Sequence, residues 1–204
     1  MYKRQQIRNA LLGEGGIDVA CGECIACCSS SYFIHITPDE AATLEHIPKD
    51  VVCPAPGMPK GNRLMGYDKE GRCPMLAQGK CTIYAYRPNT CRTYDCRVFA
   101  AAGISAGDED KAMINQRVAR WRFSYPTASD RQEHLAVQAA AAFIRDHGAC
   151  FPGGRVPTNP GQLAILAIKV YDIFIEKDGT LSGNSSHQEI ANAIVDASRK
   201  FDTQ

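Results

Sequence analysis

Cysteine is the residue type in this chain whose side chain offers the widest range of chemistry, and the chain contains ten cysteines. Four lie within the stretch CGECIACC and form the first group: Cys21, Cys24, Cys27 and Cys28. The second group follows later in the chain: Cys73, Cys81, Cys91 and Cys96. Cys53 lies between the groups and Cys150 stands apart. Thiols this close together can form disulfides, bind a metal, or include a reactive redox thiol.

The compartment expected for the protein helps to choose among these chemistries. The N-terminal stretch MYKRQQIRNALLGEGG has basic residues but no apolar core of the kind that marks a secretory signal. The longest apolar stretch, 163–175, contains Lys169 and Asp172 and is too short to span a bilayer. We therefore expect a cytoplasmic protein without a membrane partner. Thiols stay reduced in that compartment, so metal binding is favoured over standing disulfides.

The spacing of the first group favours one metal centre with several thiolate ligands. A C-x2-C-x2-C run, here Cys21, Cys24 and Cys27, is the spacing of the first ligands of bacterial ferredoxins, which also use a remote cysteine followed by proline. Cys73-Pro74 offers that remote ligand, and Cys53-Pro54 is a second candidate. We expect the Cys28 side chain to point away from that of Cys27 and to serve a second centre. Eight thiols then divide into two four-ligand sites, which could be zinc, iron–sulfur, or one of each.

Basic residues are interleaved with the second group. Between residues 71 and 97 there are five basic residues and one acidic residue, in a chain whose net charge is only +1. Such cations lower thiol pKa values and offset the negative charge of a metal held by four thiolates. We expect Arg87 and Arg92 to lie around the ligands, with Arg87 anchoring the loop between Cys81 and Cys91 by hydrogen bonds to the backbone or to a thiolate sulfur. For His35 we expect a hydrogen-bonded structural role instead of metal ligation.

The second half of the chain has the pattern of helices. Apolar spacing predicts a helix over 107–123, and Ser129 with Gln132 resembles a capping box that opens a helix through Ile144. Asn159-Pro160 predicts a helix start before 163–175, and Ser186 with Glu189 predicts another capping box.

The first half has short elements and many turns. We predict a strand at 32–37, a short helix through about Glu45, and a hairpin that pairs 63–67 with 72–76, with Gly71 left-handed. The fold class predicted is mainly α, with a small irregular, hairpin-bearing cysteine segment stapled by metal. We expect a single domain over 1–204, with a metal-binding segment at 15–100 and a helical segment at 105–204 packed on it.

These motifs resemble those of the YkgJ-type cysteine-cluster proteins, a family described as zinc- or iron-chelating. The family pattern is CxxCxxCC followed by C-x7-C-x-[IV]-Y-x-x-R-P-x-x-C-R. The second part is matched here by Cys73, Cys81, Ile83, Tyr84, Arg87, Pro88, Cys91 and Arg92. The stretch INQRVARWRF, 114–123, is also similar to a segment of closer members. The resemblance implies metal binding but no particular reaction, although a related cluster occurs in flagellin lysine methylases.

Three classes of function remain open from the sequence. The favoured one is a metal-binding protein that holds an iron–sulfur cluster or Zn²⁺, in one or two centres, with a non-catalytic or redox accessory role. The others are an iron–sulfur enzyme of methylation or redox chemistry and a zinc-stapled module that binds a protein partner. The near-neutral charge and the absence of a basic stripe argue against nucleic acid. No transferable catalytic motif was found, so enzymatic activity stays open.

Overall fold

Short elements occupy the first half of the chain and longer helices the second, in the computed structural model of this protein. The structure describes residues 11, 19, 23–175 and 186–203, so Cys21 lies outside the described residues. Two units can be distinguished. The cysteine unit comprises Val19–Asp95 and Gly107–Arg117, and the helical unit contains Cys96–Ala106 and Val118–Gln204. The predicted fold class, mainly α with small β elements, is confirmed.

A three-stranded antiparallel sheet lies in the cysteine unit. Its strands are β1 (Ile34–Ile36), β2 (Val52–Pro54) and β3 (Arg63–Met65), in the spatial order β1-β3-β2. In the register of this sheet His35 and Cys53 both face Leu64. A separate two-stranded hairpin joins β4 (Leu76–Ala77) to β5 (Lys80–Cys81).

The predicted hairpin between 63–67 and 72–76 is wrong, because β3 pairs with β1 and β2 and leaves 72–76 free to pair elsewhere. Gln78 and Gly79 both have positive φ, 51° and 72°, which is the geometry of a tight two-residue hairpin turn. The Gln78–Gly79 turn connects β4 to β5, which pair with each other. The predicted left-handed conformation of Gly71 is confirmed, with φ of 74°. It closes a local turn in which the Asp68 carboxylate accepts hydrogen bonds from two backbone N–H groups.

Seven α-helices are found among the described residues. Those before residue 120 are short: α1 (Ala41–Glu45), α2 (Asn89–Thr93), α3 (Arg97–Ala102) and α4 (Ala112–Val118). Three longer helices follow: α5 (Ala128–Asp146), α6 (Pro160–Val170) and α7 (His187–Asp202). The helix predicted over 107–123 is therefore shorter than expected, because Glu109–Lys111 forms a 3₁₀ turn before it and the helix ends at Val118.

Each unit has its own apolar core. In the cysteine unit the core consists of Ile36, Ile47, Met65, Met75 and Ile83, with Cys73 and Cys81 packed against it. In the helical unit α3, α5 and α6 pack against one another, and α7 packs on α6. Ala140, Ala164 and Ala167 are fully buried, and such small side chains let helix backbones approach closely. Within the described residues no helix combines the length and apolar character needed to cross a bilayer.

The helix starts show which polar residues act as caps. Asn159 accepts hydrogen bonds from the N–H groups of Gly161 and Gln162, and Ser186 with Glu189 forms a reciprocal capping box, both as predicted. The box at the start of α5 is formed by Thr127 and Asp130, so the predicted pair Ser129 and Gln132 is wrong. Aspartate at the third helical position can return the hydrogen bond as glutamate does, which moves the start of α5 two residues earlier than expected.

The start of α5 gives a matched pair of substitutions. Thr127→Ala should lower the free energy of unfolding by about 1 kcal/mol, because the Asp130 N–H loses its acceptor at the helix start. Ser129→Ala should leave it within about 0.5 kcal/mol, since the exposed Ser129 hydroxyl only contacts Glu133. Urea unfolding followed by circular dichroism measures both. Equal effects of the two substitutions would contradict the assigned cap.

Candidate metal centre

Two backbone hydrogen bonds join the two cysteine groups. The Cys73 N–H donates to the carbonyl of Cys28 at 2.8 Å, and the Ser31 N–H donates to the carbonyl of Gly71 at 2.9 Å. They tie 28–31 alongside 71–73 in the manner of a short sheet ladder. The expectation that the first and second groups meet is thus confirmed for Cys28 of the first group and Cys73 of the second.

Cys27 and Cys28 lie in a 3₁₀ turn with their thiols on the same side. The turn is held by the carbonyl of buried Ala26, which accepts hydrogen bonds from the Ser29 N–H at 3.2 Å and the Ser30 hydroxyl at 2.6 Å. The two Sγ atoms are 4.0 Å apart. The expectation that Cys28 points away from Cys27 is therefore wrong, because the turn brings neighbouring thiols together instead of alternating them as a strand would.

This separation is informative about metal chemistry. Two sulfurs bound to one tetrahedral ion at about 2.3 Å lie about 3.8 Å from each other. The Cys27 and Cys28 thiols thus already have nearly the spacing of two ligands of one ion. All nine cysteines among the described residues are free thiols, including this adjacent pair.

The β4–β5 hairpin positions Cys73 and Cys81. Met75 is buried in the core between them, and its carbonyl accepts hydrogen bonds from both the N–H and the hydroxyl of Thr82, at 2.9 and 3.1 Å. Cys81 lies on β5, opposite Leu76, and Cys73 precedes β4. Because both cysteines pack against the core of the unit, their thiols are held in place by apolar contacts as well as by the hairpin.

Helix α2 positions Cys91, and Glu40 positions α2. One oxygen of the Glu40 carboxylate accepts a hydrogen bond from the Asn89 N–H at 2.6 Å, at the start of the helix. The other accepts one from the Thr37 N–H at 2.9 Å. Partial burial acts against ionisation of Glu40, but these N–H donors bring its pKa below the ordinary value. Glu40 was missed from the sequence because the Thr-Pro-Asp-Glu stretch only indicated a cap for the neighbouring α1.

The sheet holds the other side of α2. The Thr90 hydroxyl donates to the carbonyl of His35 on β1 at 2.7 Å, and the His35 ring donates to the Asn62 side chain, also at 2.7 Å. The structural role predicted for His35 is thus confirmed. Its imidazole and backbone both serve to place α2, and through it Cys91.

The thiols of Cys27, Cys73, Cys81 and Cys91 lie within electrostatic reach of one another. A hydrogen bond with Cys28, burial and the nearby Cys28 charge raise the pKa of Cys27. Burial and the thiols of Cys81 and Cys27 raise the pKa of Cys73. Burial, followed by the other three thiols of the set, raises the pKa of Cys91 to about 12, with Arg87 acting in the opposite direction. A buried cation among these sulfurs would reverse this balance, because it stabilises thiolates.

Arg92, not Arg87, anchors the loop between Cys81 and Cys91. Its guanidinium donates to the carbonyls of Arg87 at 2.9 Å and Ala85 at 2.7 Å. The guanidinium of Arg87 stacks 3.9 Å above the ring of Tyr84. Its Nε is buried with no hydrogen-bond partner. The backbone hydrogen bonds expected of Arg87 are thus made by Arg92, while the Arg87 Nε remains as a buried donor near Cys91.

Lys111 is a second cation of the site that the sequence did not reveal. Its Nζ donates to the Ser30 carbonyl at 2.5 Å and lies 4.4 Å from the centre of the Tyr32 ring. It also pairs with Asp110. Lys111 comes eighty residues after the first group, so only the fold places its charge beside the turn that carries Cys27 and Cys28. The Tyr32 hydroxyl in turn meets that of Tyr94 at 3.3 Å.

The remaining cysteines have different surroundings. Cys24 is half-buried, and exposed Cys53 on β2 contacts the Leu64 carbonyl through its Sγ at 3.7 Å. Cys96 and Cys150 belong to the helical unit, and the buried Cys96 thiol accepts a hydrogen bond from the Trp121 indole N–H at 3.2 Å. In 23–175 and 186–203, no three cysteine, histidine or acidic side chains are already grouped as metal ligands. The assignment of the full ligand set therefore stays a prediction.

Glycine at position 71 is a test of the link between the two groups. A Cβ on Gly71 would collide with the Ser31 hydroxyl, in addition to the strain of φ at +74°. Gly79 has a similar φ of +72° but open space around it. Gly79→Ala should therefore cost about 1 kcal/mol of unfolding free energy from backbone strain alone. Gly71→Ala should cost clearly more and also lower the bound metal per chain, measured by urea unfolding and elemental analysis. Equal losses of stability, with metal unchanged, would contradict the proposed link.

The raised thiol pKa values predict a pH dependence of metal binding. Cys27, Cys73 and Cys91 hold their protons more tightly than ordinary thiols, so a metal must displace about three protons. The apparent zinc affinity should therefore increase with pH, and should keep increasing beyond pH 9, the ordinary thiol pKa, toward the Cys91 value of about 12. Competition with a chelator at a series of pH values measures this. An affinity that is constant between neutral pH and 9 would contradict it.

Comparison with known proteins adds one finding. A search of curated proteins and a search of solved structures each returned no match. A protein-family model does match residues 20–118; the family is CxxCxxCC, with the description "Putative zinc- or iron-chelating domain". The match contains both cysteine groups, the two arginines of the loop, and Lys111. Residues 20–118 of this chain, just under half of its length, therefore match the CxxCxxCC family, which carries that zinc- or iron-chelating description.

Proposed function

We propose that the segment 15–100 holds one or two metal centres, zinc or iron–sulfur, through the CxxCxxCC motif and the later C-x7-C-x9-C-x4-C motif. The role proposed is non-catalytic or redox accessory, in the reducing cytoplasm, with another protein as the further partner. The observation that carries the proposal is the mutual proximity of the Cys27, Cys73, Cys81 and Cys91 thiols, supplied by three separate stretches of chain. Burial and neighbouring thiols raise the pKa values of Cys73 and Cys91, so these thiols are costly to ionise unless a cation accompanies them.

The residues present fit a thiolate-bound metal. Cys27 and Cys28 have nearly the sulfur spacing of two ligands of one ion. Arg87 has a buried, unpartnered Nε beside Cys91, and a guanidinium N–H is a good donor to a thiolate sulfur. In this proposal Arg87 orients a ligating sulfur, and Arg92 holds the loop that carries Arg87. When bound, the metal would link the three stretches of chain and, if it is an iron–sulfur cluster, would supply electron transfer.

Two identities for the metal are each favoured by a different observation. The 4.0 Å separation of the Cys27 and Cys28 sulfurs favours a single ion, such as zinc, because two ligands of one tetrahedral ion have this spacing. The C-x2-C-x2-C spacing with the remote Cys73-Pro74 favours an iron–sulfur cluster. The inclusion of Cys21, Cys24 and Cys96 among the ligands belongs to this proposal and rests on their place in the motifs.

The experiment that tests the proposal is elemental analysis of protein purified without oxygen, with acid-labile sulfide and visible absorption measured on the same sample. Iron with equimolar sulfide and a brown colour would identify an iron–sulfur cluster. Zinc without sulfide in a colourless protein would identify a thiolate-bound ion. Protein without metal, with its cysteines oxidised in pairs, would overturn the proposal. The last outcome is recognised by mass spectrometry after alkylation of the free thiols.

A pair of cysteine substitutions locates the centre within the chain. Cys91→Ala should lose at least one metal centre. It removes a partly buried thiol whose pKa is raised by the nearby thiols of Cys27, Cys73 and Cys81. Cys53→Ala is the matched control; it also removes a cysteine of the cysteine unit, but an exposed one on β2. It should keep the full metal content. Metal and sulfide per chain are measured for both variants. Full metal content in Cys91→Ala, or loss of a centre in Cys53→Ala, would overturn the assignment.

A further inference from the structure

A cavity in the helical unit, away from the cysteine motifs in sequence, has the composition of a ligand site. Its volume is about 370 Å³, within the range of small-molecule pockets. It is lined by Tyr125, Arg131, His134, Leu135 and Gln138, four of which belong to α5. His134 is buried, whereas Tyr125 and Leu135 are 44% and 57% exposed. The cavity thus combines a buried polar floor with accessible apolar walls.

The polar floor has a defined hydrogen-bond direction. The Gln138 Nε2 lies 3.3 Å from the His134 Nε2, and an amide nitrogen can only donate. The His134 Nε2 must then be the acceptor, which places the ring proton on Nδ1. Nδ1 is hydrogen-bonded to the Tyr125 hydroxyl, so its N–H donates to the tyrosine oxygen. With its oxygen engaged as an acceptor, the Tyr125 hydroxyl still has its own proton to donate to a ligand.

The hydrogen-bonded series Gln138, His134 and Tyr125 is held in place by neighbouring residues. The Gln138 side chain packs on Gly103, which has φ of +68° at the end of α3, and a Cβ there would lie only 3.3 Å from Gln138. Phe123 contacts the His134 ring edge-on, with ring centres 4.8 Å apart. The donor at Tyr125 is therefore preorganised, which lowers the entropy cost of binding a ligand.

Arg131 supplies a positive charge to the same cavity. It is exposed on α5, and no carboxylate in the described part of the chain pairs with it. Other charged side chains of α5 do have local partners, as with Arg145, which pairs with Asp146 at 2.8 Å. The cavity therefore presents two donors, one cationic and one neutral, beside the apolar side chain of Leu135.

We propose that this cavity binds a small aromatic carboxylate, with the carboxylate taken by the Arg131 guanidinium and the Tyr125 hydroxyl. The planar fork of an arginine matches the two oxygens of a carboxylate. The apolar body of the ligand lies against Leu135 and the Tyr125 ring. The volume of the cavity restricts the ligand to a molecule of about one ring. This site is independent of the metal centre proposed above.

The test uses sodium benzoate as the probe and the full, metal-loaded chain. Benzoate is titrated into ¹⁵N-labelled protein, and amide shifts are recorded by NMR. Saturable shifts confined to the backbone around Tyr125 and 131–138 are expected. Arg131→Gln should weaken binding about tenfold, the effect of losing one charge-assisted hydrogen bond of about 1.4 kcal/mol. Tyr125→Phe should weaken it to a lesser extent, since a neutral donor is lost.

Two controls make the result specific. Arg145→Gln removes an exposed arginine of the same helix outside the cavity and should leave benzoate affinity unchanged. Benzamide, which has the same ring without the charge, should bind much more weakly than benzoate. The absence of saturable shifts, equal affinity for benzamide, or unchanged benzoate affinity in Arg131→Gln would each overturn the proposal. The helical circular dichroism signal and melting temperature measured for every variant show that the helical unit remains folded.

Discussion

The pair of backbone hydrogen bonds between 28–31 and 71–73 is the contact on which the cysteine unit depends. It joins stretches forty residues apart, and without it the thiols of Cys27 and Cys28 would have no fixed relation to those of Cys73 and Cys81. Gly71 suits this contact for two reasons: its conformation is left-handed, and the Ser31 hydroxyl occupies the space a side chain would need. The β4–β5 hairpin follows Cys73 in the chain, whereas α2 is held by Glu40 and by the sheet.

The centre combines costly burial of thiols with cations that reduce the cost. Ionising several neighbouring thiols in a partly apolar environment is unfavourable, and the raised pKa values of Cys27, Cys73 and Cys91 express this. Arg87 acts against that cost at Cys91, and Lys111 donates a hydrogen bond to the turn that carries Cys27 and Cys28. Neither cation is sufficient for thiolates, which is why a metal ion or cluster is the natural partner of this arrangement.

Glu40 shows that residues far from the cysteines in sequence hold the elements that carry them. One carboxylate joins the start of α2, which carries Cys91, to the turn after β1. The Thr90 hydroxyl makes a second link from α2 to the same strand. The helical unit is organised differently, by buried alanines and reciprocal caps. There the residues that could do chemistry, His134 and Tyr125, are joined by hydrogen bonds along one helix and the segment before it.

The sequence by itself determined the helical class of the second half, the caps at Asn159 and Ser186, and the left-handed Gly71. It also determined the likeness of the cysteine motifs to the CxxCxxCC family. All of these depend on residues within a few positions of one another, and local chemistry is enough to specify them. The tertiary structure decided which strands pair, because β3 has two partners that lie far from it in the chain. It also decided that Cys28 faces the same side as Cys27, that Arg92 holds the loop instead of Arg87, and that Lys111 and Glu40 belong to the site. These outcomes rest on contacts between distant segments, whose geometry follows from packing and hydrogen bonding that residue spacing does not encode.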